Sequence, residues 1–287
     1  MLNHYGSLKE RITNTLDTLS PKHKNIARVI LDNHYFTSFS SASQVGEKNN
    51  TTAATVVRFA QALGYQGYSE LQEALRSELP HYMTAAARMQ KRMSSQRSPG
   101  STHQNVLYTD IQNIERTASS LSEDNLHEAL DTILKAGCIY VIGAGLSSGA
   151  VEFLVHSLKV MGFKAISIGK EGLGAAVEIS QLDQDDLLIA IDLWRYAQLT
   201  VNAVSQAIEV GALVIAITDS IVSPLAKMAT ISFEVATEGI AHSLSVTALM
   251  SLLNVFVVML ADRVPEQAYE SLRRIDAIYR ENDLLIM

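Results

Sequence analysis

From Gly137 onward, short apolar runs alternate with segments of helical periodicity, and this rhythm constrains the fold more than any other feature of the chain. The runs are CIYVIG (138–143), KAISIG (164–169), DLLIAI (186–191), ALVIAIT (212–218) and ISFEVA (231–236). Each is too short for a helix, and most lack the polar–apolar alternation of a strand with one wet face. Strands of that kind are covered on both sides, and strands alternating with helices build a parallel sheet. Between the first two runs, LSSGAVEFLVHSLKVMG reads as a helix closing at Gly162. The expected fold of this part is α/β, a parallel sheet flanked by helices. Ligands of such sheets collect at the carboxyl ends of the strands. The loops leaving the runs, GAGLSSG (143–149) and DLWRYAQ (192–198), are therefore pocket candidates by position. The second holds the only tryptophan of the chain.

The first hundred residues read differently. Leu8, Ile12, Leu16 and Leu19 lie at helical spacing, and Ser20-Pro21 reads as an N-cap followed by proline at the first helical position. Ser69 with Gln72 predicts a capping box before ELQEALRSEL, with Pro80 beyond the helix. The expected class is all-α. Within it, Ala42–Lys48 reads as a short helix, Asn49-Asn50 as a turn, and Thr52 as the cap of a second helix ending before Gly64. Val56, Phe59, Ala60 and Leu63 share a core-facing side. Thr51, Thr55, Arg58 and Ala62 share another, where small side chains surround one long arginine. That face suits a DNA groove, with Arg58 reaching a guanine edge or a phosphate, although an ordinary surface helix has the same pattern.

Charge supports the division. Through Gly100 the chain has 12 Lys and Arg against 7 Asp and Glu, whereas the remainder has 11 against 23. A basic head on an acidic body is the pattern expected when only the head meets a polyanion. Arg88, Lys91, Arg92 and Arg97 form a basic run that reads as a solvated helix face or a phosphate contact. The polar stretch 94–105, SSQRSPGSTHQN, reads as a linker. The chain divides accordingly into a helix-turn-helix domain (1–80), a helical or flexible linker (81–122) and a sheet domain (123–287).

Other classes fit less well. A single cysteine, Cys138, and an N-terminus without a signal-peptide core point to a reducing, cytoplasmic setting. Residues 239–261 are uncharged and long enough to span a bilayer, but His242, Thr247, Asn254 and three serines favour a buried or subunit-interface helix. GAGLSSG lacks the Gly-Lys-Ser/Thr of a phosphate-binding Walker loop, and Ser148 stands where a dinucleotide fingerprint needs its third glycine. Glu152, His156, Glu178 and Glu238 are available as bases, yet none sits in a motif that marks one. No catalytic residue, cofactor or metal is expected. A purely structural DNA binder would be more basic and would not need the sheet domain.

Residues 19–79, with LSPKHKNIARVILDN, ATVVRF and LGYQGYSELQEAL, resemble the N-terminal domain of RpiR-type transcriptional regulators. That resemblance implies a helix-turn-helix whose second helix reads DNA, with Thr51, Thr52, Thr55 and Arg58 as contacts. Residues 126–262 resemble the sugar isomerase (SIS) domain that these regulators carry. GAGLSSG corresponds to the first phosphosugar loop, and ITDSIVSPLAKMA (217–229) to a later TDxxxSPLA stretch. Where the family has a hydroxyl-rich loop, this chain has DLWRYAQ. The resemblance implies an effector site from Ser147, Ser148, Asp192, Trp194, Arg195, Thr218, Ser220 and His242. Two readings of the Trp194-Arg195-Tyr196 loop stand side by side: it binds an anionic ligand, or it fills the pocket or builds a subunit contact. His242 either lines the cleft or serves structure or a partner. The family implies a regulator, a repressor by analogy, acting as a homodimer or homotetramer on a double-stranded operator. Its effector would be a phosphosugar or a sugar acid, with no membrane involved. The alternative is a sugar-phosphate isomerase.

Overall fold

The computed structural model describes residues 8–32, 34–78, 84–94, 101–169 and 172–284, in two compact units, residues 1–96 and 97–287. The first unit is helical: α1 (Leu8–Thr15), α2 (Pro21–Asp32), α3 (His34–Phe39), α4 (Ala42–Lys48), α5 (Ala53–Ala62), α6 (Tyr68–Glu78) and α7 (Ala85–Ser94). Ser20 caps α2, its hydroxyl accepting from the His23 N–H at 3.3 Å. Ser41 and Gln44 form a reciprocal capping box on α4. Ile26, Ile30, Val45, Val56, Phe59, Leu71 and Leu75 are buried together, the apolar stripes of four helices meeting in one core.

The capping box expected at Ser69 and Gln72 is absent. The helix begins at Tyr68, two residues before the expected start at Glu70, and the Glu70 carboxylate accepts from the Gln66 N–H at 2.6 Å. Gln72 instead donates to the Ser40 carbonyl at 2.8 Å, beside the Tyr68 hydroxyl, which donates to the Thr37 and Ser40 carbonyls at 2.9 Å. Carbonyls at the end of a helix have no partner within it. Those at the end of α3 recruit the side chains of α6, and this long-range demand outweighs the local cap.

The second unit contains α8 (Thr102–Ser120), α9 (Glu123–Lys135), β1 (Ile139–Ile142), α10 (Ser148–Val160), β2 (Ala165–Ser167), α11 (Gly172–Ile179), β3 (Leu187–Asp192), α12 (Gln198–Val210), β4 (Leu213–Thr218), α13 (Pro224–Met228), β5 (Ile231–Glu234), α14 (Thr247–Arg263) and α15 (Pro265–Glu281). All strand pairs are parallel, in the order β2-β1-β3-β4-β5. Successive residues of the central strands go to opposite layers. Val141, Ile189 and Ile215 pack with α9, α10 and α14. Ile142, Leu188 and Val214 pack with α12 and Leu225 of α13. Two apolar layers explain why the strand sequences showed no alternation.

Two sequence expectations differ in detail. Residues 239–246 are not helical, and α14 starts only at Thr247. Among the described residues no single helix is long and apolar enough to cross a membrane, and α14 meets α15 at a 103° bend. Half of the stretch read as a linker, 94–105, is residues 95–100, outside those described, and α8 begins at Thr102, inside the segment 81–122.

Helix α8 belongs to the second unit and is bound there by polar groups. Buried Asn113 donates to the Glu238 carbonyl at 2.8 Å and accepts from the Glu238 N–H at 3.2 Å. The Thr117 hydroxyl accepts from the Ala236 N–H at 2.9 Å, and the Ser245 hydroxyl donates to Asp110 at 2.5 Å. Removing one partner of such a pair leaves the other unsatisfied, at about 1–3 kcal/mol. Asn113→Ala is expected to lower the unfolding free energy by that amount, seen as a lower urea midpoint at unchanged slope, and an unchanged midpoint would show that water replaces the amide at no cost.

Candidate functional site

The helix-turn-helix is built by local chemistry. The turn holds Asn50 at φ 49°, a conformation asparagine tolerates. Gly46 lies against this turn, and a Cβ there would stand 2.9 Å from the Thr51 carbonyl oxygen. Only glycine lets α4 and the start of α5 approach this closely. Thr52 caps α5 through the Thr55 N–H at 3.3 Å, and the two hydroxyls lie 3.1 Å apart. At the far end, Arg11 donates to the Leu63 carbonyl at 3.1 Å and stacks over Tyr65. Thus α5 is fixed at both ends. Val56, Phe59, Ala60 and Leu63 are buried as expected; Arg58 and Thr52 are exposed, and Thr51 and Thr55 half-buried. The two threonine hydroxyls already serve the cap, leaving Arg58 as the long side chain of this face.

In the sheet domain, β1 has β2 on one side and β3 on the other. The connections from β1 and β3 therefore open a crevice at the carboxyl end, where such sheets bind ligands. The structure brings GAGLSSG and DLWRYAQ together here. A Cβ on Gly143 would run into the Ile191 carbonyl oxygen and lie 2.9 Å from Val151 Cγ2 and 3.1 Å from Ser147 Cβ. The bare glycine is what lets the first loop press against the end of β3. Ser147 is buried at the start of α10, and its hydroxyl oxygen has no hydrogen-bond partner among the described residues. Ser148, also buried, begins the helix.

Asp192 ends β3 and is turned inward, only 2% exposed. Its oxygens accept from the Leu193 N–H at 3.1 Å and the Ala197 N–H at 2.8 Å. Burial pushes its pKa up to about 6, opposed by hydrogen bonds from Ala197, Thr200 and Leu193, with the charge of Asp219 adding to the rise. Asp219 holds the same loop from the other side, accepting from the Trp194 N–H at 3.2 Å and the Tyr196 hydroxyl at 2.9 Å. The rings of Trp194 and Tyr196 meet edge-to-face at 5.7 Å. Two buried carboxylates thus clamp the loop through its backbone and one phenol, and Arg195 is left exposed at its tip. Burial, and secondarily Asp219, also raises the pKa of Glu234 at the end of β5.

Thr218, which ends β4, and Ser220 just beyond it occupy the same end of the sheet with different tasks. Thr218 and Ser220 are fully buried. The first approaches Asp219 at 3.5 Å, and the second accepts from the Val222 N–H at 3.3 Å within the turn before α13. His242 is exposed in the loop after β5. Asp219 was not singled out from the sequence. Its signal was its place: it follows Thr218, the register partner of Asp192, so both carboxylates stand at neighbouring strand ends. Among the described residues no cluster of His, Cys, Asp and Glu is arranged to hold a metal ion.

A helix-turn-helix head and a parallel-sheet domain with a glycine-serine loop at its switch point define the class: a DNA-binding regulator with a sensor-type domain. Residues 6–81 match the family model described as "Helix-turn-helix domain, rpiR family", and residues 132–259 match the SIS domain. The sugar isomerase domain of an RpiR transcription factor from Sphaerobacter thermophilus is 32% identical, with TM-score 0.60, over 61% of this chain and 98% of that one. This chain belongs to the RpiR family of transcriptional regulators. An uncharacterized HTH-type transcriptional regulator of Haemophilus influenzae is 25% identical over 228 residues, 78% of each chain. The NanR protein of Vibrio vulnificus, solved with ManNAc-6P, shares the fold at 23% identity and TM-score 0.69, over 97% of this chain and 99% of that one.

Proposed function

We propose that this protein is a cytoplasmic, paired transcriptional repressor whose α5 reads an operator and whose sheet domain takes a small anionic effector, a phosphosugar or sugar acid. The observation that carries the effector half is Ser147. A buried hydroxyl without a partner is costly, and this one lies at the start of α10, where the helix dipole favours an anion. The ManNAc-6P bound to NanR supports the same chemistry. In this reading exposed Arg195 and His242 supply polar side chains to a charged ligand, and buried Asp192, Thr218 and Ser220 support the loops that hold it.

A sensor fits the site better than an isomerase. Glu152 accepts from Ser167 at 3.1 Å, Glu238 pairs with Arg116 at 3.2 Å, and His156 lies in a groove beside Ile275 and Ile278. Glu152 and His156 share α10, but Glu152 is engaged by Ser167 and Glu238 by Arg116, so neither carboxylate is held ready for the proton transfer that isomerisation requires.

Selection from a random duplex pool should yield a specific operator. Arg58→Ala is expected to weaken it by about 1–3 kcal/mol and to relax base preference at one position; retained specificity would refute α5 as the reading helix. Titration with a panel of sugar phosphates and sugar acids should then shift Trp194 emission and change operator affinity along one saturation curve, as linkage demands. If no member of the panel moves either signal, the effector half of the proposal fails. A reporter gene placed behind the selected operator tests the sign of regulation, with repression in the effector-free state expected.

A further inference from the structure

Helix α8 is amphipathic in the reverse sense for a helix lying on a folded domain. Its inward side is polar, with Asp110, Asn113 and Thr117 hydrogen-bonded to the 236–245 loop. Its outward side is apolar: Leu107, Tyr108 and Ile111 are 60%, 62% and 52% exposed, with Ile114 and Ala118 exposed beside them. The helix cannot roll over to bury this stripe without breaking the bonds of Asn113 and Thr117, so its orientation is locked.

Leu107, Ile111, Ile114 and Ala118 are spaced four, three and four apart, the a/d repeat by which two helices interlock. The two charges nearest on the inward flank, Asp110 and Arg116, are already bound to Ser245 and Glu238. An apolar seam with an aromatic residue and few charges has the composition of an interface core.

We propose that the α8 stripe docks against the same stripe of a second copy of this chain, the two helices running antiparallel. In that register Leu107 meets Ala118 and Ile111 meets Ile114, so large side chains face small ones at the ends and equal ones pair at the centre. Tyr108 of one copy then lies beside Glu115 of the other, where its hydroxyl donates to the carboxylate. A parallel pair would set leucine on leucine and alanine on alanine, crowding one end and leaving a gap at the other. The patch is self-complementary about a twofold axis, as a closed dimer requires. The stripe exposes on the order of 400 Å² per copy, about half of what a stable interface buries on each side.

Pairing through α8 extends the reading of a paired regulator and is tested with neither DNA nor effector. By sedimentation equilibrium the full chain is expected to be a two-chain species at micromolar concentration. Ile111→Glu should weaken association at least about 100-fold, the loss of a central hot spot, with an unchanged circular dichroism spectrum. Should that variant fail to fold, Leu107→Lys at the edge of the stripe asks the same question. A wild-type chain that sediments singly, or a folded variant that stays paired, overturns the proposal. Register is read by cross-linking in a Cys138→Ser background. A mixture of Leu107→Cys and Ala118→Cys chains should form a disulfide between the two, and neither alone should. Cross-linking of each alone instead of the mixture would overturn the antiparallel pairing.

Discussion

A methyl group at Gly143 is expected to destabilise the sheet domain by about 3 kcal/mol, whereas the same change at Gly149 is expected to raise stability by up to about 1 kcal/mol. At compatible sites glycine to alanine stabilises, because the unfolded chain loses freedom, and within a helix alanine is favoured by a similar amount. Gly149 lies in α10, and a Cβ there would point into open space, so only those gains apply. Gly143 meets the Ile191 carbonyl oxygen, a backbone atom of the central strand that cannot swing aside as a side chain would. Relief requires moving the GAGLSSG loop away from β3, at the upper end of the cost of overpacking. Urea unfolding followed by Trp194 emission measures both variants, since the only tryptophan sits at this edge. A Gly143→Ala protein as stable as the parent would mean that the loop does not rest on β3, and the crevice would have to be redrawn.

The second large effect is a pH dependence at Asp192. Its folded pKa of about 6 lies above the ordinary value of 3.8, so between those limits the folded state binds a proton that the unfolded chain does not. The contribution of this group to stability is therefore greatest below about pH 4, falls as pH rises, and levels off above about pH 6. The drop is on the order of 3 kcal/mol for a group this deeply buried. Stability of the wild type minus that of Asp192→Asn, measured from pH 4 to 7.5, should trace the fall. A flat difference would place the carboxylate in water. Protonation also alters the acceptor that holds the Leu193 and Ala197 N–H groups. Trp194 emission should accordingly titrate with a midpoint near 6 in the wild type and not in the variant.

Much of this architecture was legible because it is governed by short-range chemistry. The bounds of α4, the threonine cap of α5 and the buried side of α5 followed from side chains within four residues of one another. Four of the five strands lie within the apolar runs and β3 passes the end of its run only by Asp192, because a central strand has to be apolar toward both layers. The loops at the strand ends were marked as candidates for the same reason: a parallel sheet leaves its crevice there. Arg58 stood out as a long cation among small neighbours, a pattern that needs nothing beyond one helix turn.

What the linear chain determined, then, is the set of elements and the ends at which function gathers; what only tertiary structure decided is where the polar groups point. Asp192 read as a ligand contact, and the fold turns it onto the backbone of its own loop. Tyr196 and Asp219 are 23 residues apart, and Asn113 and Glu238 are 125 apart. No periodicity records such pairs, since a polar side chain looks the same in sequence whether it faces water or a buried amide. The strand order 2-1-3-4-5, which places GAGLSSG beside the tryptophan loop, likewise depends on which distant strands meet. Helix α8 carries the same lesson, its polar side inward and its apolar side outward, because hydrogen bonds to a loop far along the chain decide its orientation.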